Sequence, residues 1–175
     1  MSRRLEVEEM PPLGGVRVPH DFWWAYAPPV PLAGMRYPAR FDWKQAGESG
    51  FGTVVCLTGP EPGYDPAPLS CFAVQLQDLA HGEPPDDPAG ELTLVRQAVE
   101  AVTVSLGKGD GVVVHCAGGT GRSGTVIGAA LVALGEGFPG EVAAWLDQVH
   151  RARHRRGWPE SDWQRDVLGS FVPEH

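Results

Sequence analysis

The run His115-Cys116-Ala117-Gly118-Gly119-Thr120-Gly121-Arg122-Ser123-Gly124 places a thiol, a guanidinium and a glycine-rich turn in one short segment. A Cys at the end of an apolar strand, followed by small residues and an Arg opening a helix, lies beneath a ring of backbone N–H groups. Such a ring, backed by a helix N-terminus, is an anion-binding nest. Gly118, Gly119 and Gly121 let the backbone itself approach the anion. Arg122 adds a planar fork able to grip two oxygens of a phosphate-shaped dianion. The same field stabilises the Cys116 thiolate and makes it nucleophilic at neutral pH. An anion cradle with a nucleophile at its base is suited to attack on phosphorus. The loop supplies the positive charge, so neither a metal nor another cofactor is expected. A Walker-type nucleotide loop would need Gly-Lys-Ser/Thr, and this turn carries no Lys.

The flanking sequence must supply the strand and helix that hold this turn. Gly111 to His115 predicts a short, fully apolar strand, and Ser123 to Leu134 a buried helix. Leu92, Val95, Val99, Val102 and Leu106 recur at spacings of three and four, predicting an amphipathic helix over 92–106 closed by Gly107 and Gly109. Glu141 to Arg153 predicts another amphipathic helix, and Trp163 to Phe171 a final short one. Upstream, Thr53 to Leu57 predicts a buried strand, Gly59 to Pro68 a loop, Cys71 to Leu76 a further strand, and Asp42 to Glu48 a weak helix closed by Gly50. The aromatic stretch Phe22 to Tyr26 and the segment Val30 to Ala33 predict two short strands at a sheet edge, because Pro28 and Pro29 do not suit a central ladder. Gly82 to Gly90 is rich in Pro and Asp and predicts irregular structure. Strands alternating with helices give an α/β fold with a central, mostly parallel sheet flanked by helices. Residues 1–18, acidic and broken by Pro11, Pro12, Gly14 and Gly15, predict a flexible tail ahead of a single domain at 19–175.

Composition excludes several classes. The 175 residues fit one domain, and 14 basic against 22 acidic residues leave a net charge of −8. That balance argues against nucleic-acid and anionic-membrane partners, both of which need a basic surface. No apolar run approaches a membrane span, and the opening MSRRLEVEEM shows no signal-peptide core. Three Cys do not make a disulfide framework, which suggests a reducing, cytoplasmic setting. The oligomeric state is open, a monomer being compatible with these features.

His115-Cys116, five residues, then Arg122-Ser123 resemble the signature of the Cys-based protein-tyrosine phosphatase superfamily. Size and flanks are similar to those of the small atypical dual-specificity phosphatases, with Phe22-Trp23-Trp24 and Leu32 to Met35 resembling their amino-terminal hairpin. The resemblance implies a phosphatase of phosphotyrosine, with phosphoserine and phosphothreonine as further substrates, acting on a protein or peptide. Its phosphate loop would be Ala117 to Arg122, with Cys116 as nucleophile. It also implies a general acid on a loop after a strand, running toward prolines: Asp78, in Gln75-Leu76-Gln77-Asp78 ahead of Pro84-Pro85. Asp86 and Asp87 compete, although Asp87 beside Pro88 also suits a helix cap. By the same resemblance Gln164 would position the attacking water, Ser123 would ease departure of the sulfur, and His115 would tune the thiolate. The family protects some catalytic Cys residues by a disulfide from a neighbouring strand, and Cys56 or Cys71 would be the partner; Cys56 as a plain core residue is the alternative.

Arg151, Arg153, Arg155 and Arg156 form the basic cluster of an acidic chain. They suit either a positive rim for phosphorylated substrate or a cationic helix end answering the dipole. Rival readings are a phosphatase of lipid or small-molecule phosphates, a phospho-binding module without turnover, and a sulfurtransferase. The absence of basic residues at 117–121 weighs against the first, and the presence of both Cys116 and Arg122 weighs against the second.

Overall fold

The computed structural model describes residues 3–6 and 22–174. The elements run β1 (Trp23–Tyr26), β2 (Leu32–Met35), α1 (Trp43–Glu48), β3 (Phe51–Cys56), β4 (Ser70–Ala73), α2 (Pro88–Gly107), β5 (Gly111–His115), α3 (Gly121–Ala133), α4 (Pro139–Ala152) and α5 (Asp162–Val167), closed by a 3-10 turn at Leu168–Phe171. The five strands lie in the order β1-β2-β5-β3-β4, with only β1 antiparallel to its neighbour. This is the mostly parallel α/β sheet expected.

Strand β5 sits at the sheet centre and all five of its residues are buried. A strand covered on both faces reads as a continuous apolar run, as Gly111-Val112-Val113-Val114 does. Its side chains alternate between two cores. Val112 and Val114 join Val55, Leu57 and Cys116 on one face, covered by α2 to α5, while Val113 joins Val54, Trp24, Met35 and Trp43 on the other. Each such buried Val contributes about 1.5–3 kcal/mol. The larger core therefore presses the end of β5 and the start of α3 together, which is what shapes the turn at Cys116.

Two expectations are corrected. Of the two strands expected at the edge, β1 lies there and β2 is interior, hydrogen-bonded in parallel to β5. Pro28, Pro29 and Pro31 all stay in the connection, so nothing in Leu32 to Met35 interrupts a central ladder. Helix α2 begins at Pro88, inside the stretch read as irregular. Asp87 caps it by accepting from Gly90 N at 3.0 Å, and Pro88 lies in its first turn, where a missing N–H costs nothing. Of the predicted tail, residues 1–2 and 7–18 lie outside the described residues. Arg3 to Glu6 run beside β1, where Leu5 N donates to Ala25 O at 2.9 Å and Leu5 O accepts from Trp145 Nε1 at 2.7 Å.

Candidate active site

The turn between β5 and α3 is held by its carbonyls. Ala117 O accepts from Tyr37 N at 3.1 Å, Gly119 O from Trp23 Nε1 at 2.9 Å, Thr120 O from Gly124 N at 2.8 Å, and Gly121 O from Thr125 Oγ1 at 2.8 Å. With the carbonyls tied outward, the peptide dipoles present N–H groups to the concave side, as Gly119 N–H does toward Cys116 Sγ. Gly119 has φ +78° and its backbone lies so close to β2 that a Cβ would come within 2.6 Å of Arg36 N. Only Gly fits both conditions.

Cys116, 2% exposed, lies at the base of this turn, and its Sγ accepts from Gly119 N at 3.2 Å. Arg122, in the first turn of α3, donates from Nη1 to Leu76 O at 3.3 Å, and its Nη2 lies 3.9 Å from Asp78 Oδ2. Asp78 is anchored by Oδ1, which accepts from Ala80 N at 3.0 Å. Buried Glu91 of α2 steadies the chain ahead of it, accepting from Gln77 N at 2.7 Å. Together Cys116, Gly118, Arg122, Asp78, Arg155 and Glu160 border a cavity of about 300 Å³. The turn, the Cys116 thiol, the guanidinium and Asp78 thus meet in one place. Asp86 and Asp87 do not join them: Asp86 N bonds Gln77 Oε1, and Asp87 is the α2 cap.

The other sequence candidates stand differently. His115 is fully buried on the opposite sheet face from Cys116 and reaches its backbone, not its sulfur: Nδ1 lies 3.4 Å from Cys116 O. A carbonyl accepts only, so Nδ1 carries the proton and Nε2 accepts from the Tyr64 hydroxyl. Tyr64, from the loop after β3, escaped the sequence reading because nothing local marks it. Ser123 Oγ is buried and makes no hydrogen bond, to the sulfur or elsewhere among the described residues. Gln164 is buried behind Arg122, where its Oε1 accepts from Glu160 N at 2.8 Å and Ser161 N at 3.3 Å; it does not border the Cys116 cavity.

Cys56 is paired with His115 across β3 and β5, so it shares the His115 face, and Cys71, level with Val54, does too. Both thiols therefore lie across the sheet from Cys116, which separates them from the catalytic candidate. The basic cluster divides as well. Arg151 pairs with Asp147 at 3.0 Å, Arg153 turns inward to His150 at 2.7 Å, and Arg155 and Arg156 reach the cavity rim.

Burial lowers the His115 pKa to about 4, opposed by its bond to Cys116 and assisted by the Arg122 charge. Burial likewise lowers His150 to about 3, aided by Arg153 and Arg155. Both rings are neutral in the fold at pH 5 and protonated in the unfolded chain, so unfolding takes up about two protons there. Stability is then expected to fall as pH drops from 6.5 toward 4, by about 1.4 kcal/mol per pH unit for each ring. Urea midpoints between pH 7 and 5 check this; a flat profile would mean that the rings are charged in the native protein.

Residues 32–136 match the protein family described as "Polymorphic toxin system, DSP-PTPase phosphatase". No curated protein matches the chain. Among solved structures, PTPMT1 in complex with PI(5)P is similar with a TM-score of 0.58 at 17% identity, covering 89% of this chain and 92% of that one. A human DUSP28 structure gives 0.58 at 21% identity over 82% and 91% of the two chains. The human tyrosine phosphatase-like serine/threonine/tyrosine-interacting protein gives 0.56 at 15% over 80% and 89%. Likeness at these identities establishes the dual-specificity-phosphatase fold.

Proposed function

Because the chain belongs to the DSP-PTPase phosphatase family of polymorphic toxin systems, we propose that it hydrolyses phosphate monoesters through a phosphocysteine on Cys116. The observation that carries this is the thiol at the floor of the 300 Å³ cavity, hydrogen-bonded to Gly119 N–H, with Arg122 and Asp78 on the wall. The turn's amides other than Gly121 N–H, which donates to the Glu160 carboxylate, and the Arg122 fork hold the phosphoryl group, Cys116 attacks phosphorus, and Asp78 protonates the leaving oxygen. Water then releases phosphate. The reading needs no metal. The test is hydrolysis of p-nitrophenyl phosphate in the presence of a chelator, with vanadate as competitor and acid-trapped label mapped to Cys116. Chelator-sensitive turnover, or label elsewhere, would overturn it.

The favoured substrate is a phosphotyrosine protein or peptide, in a reducing cytoplasm, which suits the free thiols of Cys56, Cys71 and Cys116. Supporting it, Ala117 to Gly121 carry no basic side chain, and a neighbouring depression of about 680 Å³ shares the walls Ala80, Arg156 and Glu160, leaving room for residues beside the phosphate. A non-protein phosphate ester is the second reading, favoured by Arg155 and Arg156 on the rim. Phosphotyrosine, phosphothreonine and phosphoinositide substrates compared at equal concentration separate the two. Arg122→Lys is expected to cost about 10²–10³-fold in kcat/KM, since a point charge cannot replace a bidentate fork aimed at the transition state. Steady-state kinetics check it, and wild-type rates would remove Arg122 from phosphate binding.

A further inference from the structure

The cavity over Cys116 is bordered by two carboxylates, Asp78 and Glu160, although the covalent mechanism proposed above, on which this inference rests, uses only one. Glu160 is held from both sides. Its backbone N–H donates to Gln164 Oε1 at 2.8 Å, and its carboxylate accepts from Gly121 N–H at the start of α3. A Cβ at Gly121 would displace the Glu160 carboxylate, so the glycine leaves Glu160 room to reach the amide. Gln164, by contrast, spends its carboxamide oxygen on the α5 cap and stays behind Arg122, so it is a poor source of contacts to a water above the phosphoryl group. The two carboxylates also differ in setting. Asp78 is 61% exposed and lies 3.9 Å from Arg122. Glu160 is half-buried, and burial, followed by the Asp78 charge, raises its pKa against the lowering pull of Arg122, Gly121 and Arg156. A carboxylate of raised proton affinity beside the phosphoryl site is suited to accept a proton from water.

We infer that the two proton transfers are divided, Asp78 protonating the leaving group and Glu160 acting as the base for hydrolysis of the phosphocysteine. In that second step the water oxygen bonds to phosphorus and the P–S bond breaks. Its electron pair returns to Cys116 as thiolate, and the proton shed by water passes to the Glu160 carboxylate. Glu160 then releases this proton to solvent, and Asp78 recovers one from solvent, which resets the site. Gln164 is a positioning residue for Glu160.

The test is rapid-mixing kinetics on Glu160→Gln with p-nitrophenyl phosphate. The expected result is a burst of p-nitrophenol equivalent to the enzyme, then a steady rate lower by about 10²-fold. Label trapped by a denaturing quench accumulates on Cys116, while kcat/KM, which reports the steps through phenol departure, stays within a few-fold. Glu160→Asp keeps a carboxylate and should recover part of kcat; it also serves if the Gln variant folds poorly, since its smaller burst is read the same way. A Glu160→Gln variant without a burst and with kcat/KM reduced, or one with kcat unchanged or raised, would overturn the inference. The last of these would make Glu160 a competitor of phosphate for the Gly121 amide. A wild-type protein that forms no phosphocysteine would instead overturn the underlying mechanism, so the two failures are distinguishable.

Discussion

Replacing Cys116 by Ser is expected to lower phosphatase turnover on the order of 10⁴–10⁶-fold, the scale on which removing a covalent nucleophile acts. A hydroxyl in the same place is far harder to ionise than a thiol, and the loop field that suffices for sulfur does not suffice for oxygen. Phosphate binding should survive. The turn is held by Tyr37 N, Trp23 Nε1 and Gly124 N acting on its carbonyls, and none of these bonds involves the thiol. Calorimetric titration with phosphate or vanadate, set beside turnover of p-nitrophenyl phosphate, checks both halves. Turnover within tenfold of wild type would show that another group attacks phosphorus.

Asp78→Asn ties a rate to the chemistry of the leaving group. A positioned acid matters only where the departing oxygen would otherwise leave poorly. Substrates with high-pKa leaving groups should therefore slow by roughly 10²–10⁴-fold, while activated aryl phosphates lose much less. Asn retains the size of Asp78 and an oxygen to accept from Ala80 N, so the loop should hold. A series of aryl phosphates of graded leaving-group pKa, run on wild type and variant, gives the result. Equal losses along the series would make Asp78 a partner of Arg122 only. Asp86 and Asp87 would not inherit the role, since neither borders the cavity and Asp87 caps α2; Glu160, on the same cavity, would be the next acid to test.

Much of this architecture was legible because its causes are local. The apolar strand Gly111 to His115, the small residues after Cys116 and the helix from Gly121 are contiguous in the chain. The backbone dictates that such a turn forms an anion nest, whatever surrounds it. The heptad-like stripe of α2 was equally plain, and its early start at Pro88 was obscured only because Pro marks both loops and first helical turns. Asp78 came from the family resemblance, which implies an acid on a loop after a strand, and the 3.9 Å approach to Arg122 follows from the sheet carrying that loop toward α3.

What escaped the sequence depends on register and on contacts between distant residues. Whether Cys56 faces Cys116 turns on how β3 lies against β5. Pairing Cys56 with His115 puts the two thiols on opposite faces, and a slip of one residue would have put them on the same face. Tyr64 meets His115, and Glu160 meets Gly121, only after loops far along the chain have closed over the sheet. Gln164 was favoured as the group above the phosphate by the family resemblance, and nothing local marked Glu160, four residues before it. The packing of α5 against α3 turns Gln164 inward as a cap and leaves Glu160 on the cavity. The sequence by itself determined that thiol, glycine-rich turn and guanidinium come together, since Cys116, Gly118 to Gly121 and Arg122 lie within one turn of chain. Tertiary structure alone decided which carboxylates, hydroxyls and thiols share that cavity, because side-chain direction across a sheet or between helices is set by register and packing rather than by residue type.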